Sequence, residues 1–292
     1  MEIKTKAPLR ITFAGGGTDL EPYLSDYGSY VLSAAIKMYA CAIYSLDYSP
    51  QTQMEQILSR MAGRGGLRII NDVYPMSGLG GSASCVVAGI KAIYPSLTKE
   101  QIARMGFFIE RNIMSVAGGN QDYYCATYGN FLFLVSEGGN TEVTELQMSP
   151  RLSRLLLLAY TSIRSMDGND IIKDQLTRYN VKALHHQKQI AKGMRDCAKQ
   201  GDLAGFGKLM NEAWHCKKEF SPLVSNSIID AFYTKALSLG AIAGQIMGAG
   251  GGGYMLLMED PDREGELRHN LTTQNIPYHN VEVDTDGVRA IE

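Results

Sequence analysis

One loop constrains the fold of this chain more than any other segment. Residues 75–84 read Pro-Met-Ser-Gly-Leu-Gly-Gly-Ser-Ala-Ser. An apolar β-type run precedes the loop and an apolar helix-type run follows it, so the pattern predicts a strand–loop–helix unit. Within Gly78, Leu79, Gly80, Gly81, Ser82, Ala83 and Ser84, the small residues let a phosphate approach the backbone, because no large side chain blocks it. The first N–H groups of the following helix bind anions, aided by the helix dipole. The Ser82 hydroxyl is placed to reach a metal ion carried on such phosphates. A tight strand-to-helix turn with no ligand explains the same residues, and the loop alone does not separate the two readings.

The chain has 292 residues, 45% of them hydrophobic, enough for two domains or one large one. A net charge of −2 gives no reason to expect nucleic acid or a membrane surface as a partner. Met1–Lys6 lacks the apolar core of a signal peptide, and no apolar run approaches the roughly 18 residues of a membrane helix. Five scattered cysteines, with no C-x-x-C pair, fit a reduced, cytoplasmic chain. The histidines show no metal spacing; His185 and His186 are adjacent and diverge on a helix. Asp167-Gly168-Asn169-Asp170 is read as a polar helix start rather than a calcium loop.

Along the chain, strands are expected at Leu9–Ala14, within Tyr30–Leu46, and at Leu67–Asn71 and Asn130–Val135. Helices are expected near Met54–Met61, over Ser82–Tyr94, and from the capping box Thr98-Lys99-Glu100-Gln101 to about Ile113. Ser149-Pro150 marks a boundary between an N-terminal lobe, 1–150, and a C-terminal lobe, 151–292. Beyond it come a strand at Leu155–Tyr160, mainly helical stretches over Gly168–Gly201 and Leu203–Phe220, and a helix at Asn226–Leu239. A strand at Tyr254–Met258 follows the Gly248–Gly253 run, and Val281–Asp284 reads as a closing strand. The mixture predicts a two-lobed α+β architecture.

Familiar nucleotide motifs do not fit. Gly248–Gly253 matches G-x-G-x-x-G, but with the strand after it, the wrong order for a dinucleotide site. Gly78–Ala83 has the right order but no acidic strand end about 20 residues on. There is no Walker loop, H-R-D or D-F-G. If ATP binds, another kind of phosphate loop holds it.

Three separated segments instead resemble the superfamily of galactokinase, homoserine kinase, mevalonate kinase and phosphomevalonate kinase. They are Pro8–Leu20, with its Ala14-Gly15-Gly16-Gly17-Thr18-Asp19 core, the Gly78–Ser84 loop, and Gly248–Tyr254. The G-G-G-T-D form, with Gly118–Tyr123 and Ser221–Asn226, resembles the D-glycero-D-manno-heptose 7-phosphate kinase branch. Gly81 stands where the superfamily usually has the first of two serines, and Gln245 where this branch often has a lysine. The resemblance implies a first lobe with a left-handed βαβ crossover, a ferredoxin-like second lobe, and an active site between them. It implies transfer of the γ-phosphoryl of ATP, with Mg²⁺, to the anomeric hydroxyl of the heptose phosphate, for nucleotide-heptose and surface polysaccharide synthesis.

The residues and the resemblance together name site candidates. Arg10 interrupts an apolar strand and needs a partner, either Asp122 or the transferred phosphoryl group. The resemblance makes Asp122 the catalytic base; by itself it also reads as a helix cap. Ser82 and Glu110 are the implied magnesium ligands, although glutamate on a helix is often merely exposed. Gly16, Gly17, Thr18 and Asp19 are implied at the sugar hydroxyls, where Asp19 otherwise reads as an Asx turn. Arg164 and Ser165 end a strand expected to face the cleft and suit a substrate phosphate, or else are solvated. Gly250 and Gly251 are expected against the substrate, and the lone Trp214 in the packing.

Overall fold

The computed structural model describes residues 2–72, 76–164 and 166–292, so Pro75 and Ser165, both singled out above, lie outside the described residues. The first half runs β1 (Glu2–Ala14), α1 (Tyr23–Tyr27), β2 (Ser29–Ser45), α2 (Gln53–Ala62), β3 (Gly66–Asn71) and α3 (Gly81–Ile93). It continues with α4 (Lys99–Phe108), α5 (Gln121–Tyr128), β4 (Phe131–Glu137) and β5 (Asn140–Leu146). The second half holds α6 (Pro150–Leu155), β6 (Leu156–Ser162), α7 (Gly168–Arg178), α8 (Val181–Gln200), α9 (Leu203–Lys218) and α10 (Ser227–Ser238). It ends with β7 (Ala241–Ile246), β8 (Gly253–Glu259), α11 (Glu266–Thr273), β9 (Tyr278–Asn280) and β10 (Arg289–Ile291).

The first sheet has the order β10-β1-β2-β4-β5, with β3 also on β2. β1 covers one edge of β2, so β3 and β4 share the other, β3 at residues 40–45 and β4 at 29–34 of β2. Both run antiparallel to β2 and therefore parallel to each other, with α3, α4 and α5 filling the connection. The second sheet has the order β7-β8-β6-β9, all pairs antiparallel. Its strands and helices follow one another as β-α-β-β-α-β with β6 and β8 central, the ferredoxin-like arrangement.

One apolar core joins the halves. Leu9, Ile11 and Phe13 of β1 share it with Phe206, Met210 and Trp214 of α9. The Phe13 ring meets Phe131 and Phe206 edge-on, with centroids 5.5 and 5.3 Å away. Each such side chain contributes about 1.5–3 kcal/mol by leaving water, so this core fixes the lobes around whatever lies between them. A second core packs α3 on the first sheet through Val86, Val87 and Ile90 against Leu58 and Leu67. Among the described residues no helix is long and apolar enough to cross a membrane.

Several details differ from the sequence reading. A hairpin adds β5 to β4 through Gly138 and Gly139, both at positive φ. The helical stretch from Gly168 breaks at Tyr179, which takes φ 43° between α7 and α8. The helix expected to reach Ile113 ends as α4 at Phe108 and widens into a π-helical turn, Ile109–Ile113. Val281–Asp284 is not a strand: only Val283 bridges to Ile36. There the Asp284 carboxylate accepts from Gly287 N, Tyr39 Oη and Arg289, folding a turn that ends pairing. The chain then adds β10 to β1, so its end belongs to the first sheet and the lobes do not divide cleanly at Pro150.

Candidate active site

β1 alternates. Leu9, Ile11 and Phe13 enter the shared core, while Arg10 and Thr12 face α5. Arg10 is buried, and its Nε and Nη2 donate to Asp122 Oδ1 and Oδ2 at 2.7 and 2.8 Å. Its Nη1 donates to the Gly78 carbonyl, tying the pair to the glycine loop. Burial alone would push the Arg10 guanidinium down, but Asp122 more than offsets it. Asp122 is therefore not a helix cap; it sits in the first turn of α5 with its carboxylate committed to Arg10.

The glycine loop leads directly into α3. Gly80, at φ 76°, caps α3 without a side-chain hydrogen bond, leaving the first N–H groups of the helix open to an anion. A Cβ on Gly78 would lie 2.4 Å from the Met247 carbonyl oxygen, so only glycine fits there. Gly81 is different: a Cβ there would meet the Asn71 amide, which fills the room a serine side chain would need. Ser82 donates to Glu110 Oε1 at 3.0 Å. Leu79 and Ala83 are buried, and Ser84 donates to the Pro8 and Gly80 carbonyls, so these three secure the loop rather than face a ligand.

Glu110 sits on the π-helical turn and is 7% exposed. Burial, and then the nearby Asp122, raise its pKa against the opposing Tyr123 and Ser82 hydroxyls. A buried carboxylate and a hydroxyl beside a helix N-terminus are hard oxygen donors, the set Mg²⁺ takes when phosphates and waters complete its shell. Among the described residues no cluster of three or more His, Cys, Asp or Glu side chains is placed to hold a metal ion.

Between these groups and the second lobe lies a cleft of about 720 Å³ including its mouth. Gly16, Gly17, Asp19 and Gln121 form one wall; Gln175, Gln187, Lys217 and Gln245 form the other. Asp19 is buried and accepts from Gly17 N, Gln121 N and Gln121 Nε2 at 3.2–3.4 Å. Burial pushes its carboxyl up to about 6, opposed by the Gln121 N–H. A Cβ on Gly119 would lie 1.8 Å from Asp19 Oδ2, so Gly119 makes room for the carboxylate.

Several candidates stand elsewhere than expected. The Thr18 hydroxyl donates to the Gly15 carbonyl at 2.6 Å and is fully buried, closing a turn rather than meeting a sugar. Gly250 and Gly251 pack on Val224, with Gly251 N donating to its carbonyl at 2.9 Å; Gly248 and Ala249 line the cleft in their place. Arg164 is not on the cleft wall. It lies behind the loop, its Nη2 3.4 Å from where a Gly78 Cβ would stand and its Nη1 2.6 Å from the Gly168 counterpart. The sequence reading missed Gln175 and Gln187 and did not place Lys217 in the site. Lys217 donates to the Ile246 and Gly248 carbonyls at 2.6 and 2.7 Å, and Gln245 donates to the Thr12 and Phe13 carbonyls of β1.

Known proteins share this fold and the family of this sequence. Residues 32–130 match the family described as GHMP kinases N terminal domain, and 194–276 match GHMP kinases C terminal, together well over half of the chain. A relative from Campylobacter jejuni, D-glycero-alpha-D-manno-heptose 7-phosphate kinase, is 28% identical over 99% of this chain and 98% of its own. The bifunctional fucokinase/GDP-fucose pyrophosphorylase of Arabidopsis thaliana is 24% identical over 92% of this chain and 31% of its own. The crystal structure of a D-glycero-D-manno-heptose 1-phosphate kinase from Bacteriodes thetaiotaomicron superposes with a TM-score of 0.79 at 24% identity, over 99% of both chains.

Proposed function

This chain belongs to the GHMP kinase family and is an ATP-dependent sugar kinase, and we propose that its acceptor is D-glycero-D-manno-heptose 7-phosphate, phosphorylated at the anomeric hydroxyl. The observation that carries the chemistry is the Arg10–Asp122 pair, joined on one side to the glycine loop and open on the other to the cleft. In the reaction the acceptor oxygen attacks the γ-phosphorus. A new O–P bond forms as the bond to ADP breaks, and the hydroxyl proton passes to the Asp122 carboxylate. Arg10 fixes the orientation of that carboxylate. Asp19, Gln121 and Gln175 offer acceptors and donors for sugar hydroxyls, while the Gln187 amide is spent on Gly15 N and the Ala213 carbonyl. Ser82 and Glu110 would hold Mg²⁺, which would neutralise charge on the ATP phosphates. The bisphosphate product suits a following nucleotide-transfer reaction that makes activated heptose.

One observation favours a second acceptor class, an unphosphorylated sugar. The cations on the described cleft wall are Arg10 and Lys217, both hydrogen-bonded at the Gly78–Gly248 contact, and Leu20, Gln175 and Phe220 also line the cleft. Steady-state turnover with ATP and a panel of heptose 7-phosphate, free heptose, L-fucose and mevalonate decides between them. Preference for heptose 7-phosphate supports the first reading, preference for a free sugar the second, and turnover of mevalonate alone refutes both.

A further inference from the structure

Three cations from three separate elements converge where the two lobes touch. The contact itself is backbone on backbone: a Cβ on Gly248 would lie 2.8 Å from Gly78 Cα. Arg10 reaches it from β1 and bonds the Gly78 carbonyl. Arg164, just past β6, lies against Gly78. Lys217, at the end of α9, bonds the Gly248 carbonyl. One carboxylate, Asp122, is hydrogen-bonded among them, and it is taken by Arg10.

The charge is left unbalanced. Arg164 is more than nine-tenths buried, and its Nε and Nη2 have no hydrogen-bond partner among the described residues. Burial pushes its pKa down; Asp167 offsets this and Arg10 adds to it. Lys217 is pushed down to about 7 by burial, and then by Arg10 and Arg164. A buried cation without a partner is costly, and Arg164, close to Arg10 and Lys217, is tolerated where an anion belongs.

We propose that Lys217 joins Arg10 in a cradle that holds the γ-phosphoryl group of ATP as it passes to the acceptor, with Arg164 adding positive charge from behind the glycine loop. The position argues for this group rather than for a phosphate on the sugar. The Gly78–Gly248 contact lies between the open N-terminus of α3, where a nucleotide's phosphates dock, and Asp122, where the acceptor hydroxyl docks. Both cations serve the negative charge spread over the three equatorial oxygens of the phosphoryl group in transfer, as preorganised charge does in such reactions. The proposal rests on the kinase reading but not on which sugar is the acceptor.

The test uses nucleotide binding without acceptor, so it stands apart from the identity of the sugar. Isothermal titration of the Mg²⁺ complexes of ATP and ADP is run on the wild type, Lys217→Met and Arg164→Met. Lys217→Met should lose roughly tenfold to a hundredfold of the ATP-over-ADP affinity ratio, as loss of one charge-assisted contact implies, and Arg164→Met a smaller part of it, with ADP affinity kept in both. Unchanged ADP affinity also reports that the variant is folded. A second measurement needs no variant. At pH 8 Lys217 is mostly neutral, and a γ-phosphoryl group beside it raises its pKa. ATP binding should then take up most of one proton, read as a buffer-dependent enthalpy, whereas ADP binding should not. Asp19, across the cleft at about 6, is already ionised at that pH, and ADP binding is the control for Asp122 and Asp167, the carboxylates beside Arg10 and Arg164. Lys217→Met should abolish the uptake. Equal proton uptake with ATP and ADP, or an unchanged affinity ratio in both variants, overturns the proposal. So does a defect confined to the KM of a phosphorylated sugar, which would assign the cations to the acceptor's own phosphate.

Discussion

Asp19 is the residue where the site works against the stability of the fold, and pH makes the conflict measurable. Its carboxyl has a pKa raised from 3.8 to about 6, chiefly because it is buried, against Gly119, with three N–H donors and no cation hydrogen-bonded to it among the described residues. A carboxylate raised in the folded state stabilises the fold only while protonated. That contribution is complete below pH 3.8 and lost as the pH rises through 6. The full loss corresponds to roughly 3 kcal/mol, at about 1.4 kcal/mol per pH unit. By the same relation about 1 kcal/mol is lost by pH 4.5 and about 3 by pH 7.5, leaving roughly 2 kcal/mol between them. Asp19→Asn removes the titration. It forfeits one N–H acceptor, at about 1 kcal/mol, but at all pH values alike. The variant should therefore gain roughly 2 kcal/mol relative to wild type on going from pH 4.5 to 7.5, in urea unfolding at matched salt. It should also lose acceptor affinity while keeping ATP affinity, because a neutral amide is a weaker acceptor for sugar hydroxyls. A wild-type-minus-variant difference that is flat across this range would refute the argument that burial without a cation governs Asp19.

Asp122→Asn should lower turnover by about a hundredfold or more, as expected for a positioned base, and leave ATP binding in place. The amide turns a donor toward Arg10 Nη2, so about 1–3 kcal/mol of stability should go with it in urea unfolding. Turnover within tenfold of wild type would remove Asp122 from the role of base. Glu110→Gln should raise the Mg²⁺ concentration needed for half-maximal rate, since an amide is a poorer ligand for a hard cation. An unchanged metal dependence in steady-state kinetics would exclude Glu110 as a ligand.

What the sequence made legible follows from which physical signals are local. The strand–loop–helix unit around Gly80, the Thr98–Gln101 capping box and the buried cation at Arg10 are short-range patterns, and the fold keeps each of them. Lys217 and Gln187 were also legible, but in a different register. On α9 the buried stripe runs Leu203, Phe206, Met210, Ala213 and Trp214, and Lys217 falls on its next turn. On α8 it runs Ala183, Leu184, Gln187, Ile190 and Met194. A polar side chain inside an apolar stripe needs a partner, and both residues meet theirs at the cleft. Glycine motifs misled in the opposite way. Gly250 and Gly251 share a run with Gly248, but positive φ and close packing on Val224 account for them without any ligand. Thr18 shares a motif with Asp19, yet successive residues in a turn point apart. Arg164 is the hardest case, because strand alternation does not tell which lobe closes over a strand end. Only the approach of Gly78 to Gly248, residues far apart in sequence, puts it beside Arg10. The same contact explains why Gln245 does not leave the site without charge. Its amide is spent on β1 carbonyls, tying the lobes, and Lys217 brings the cation from the neighbouring helix instead.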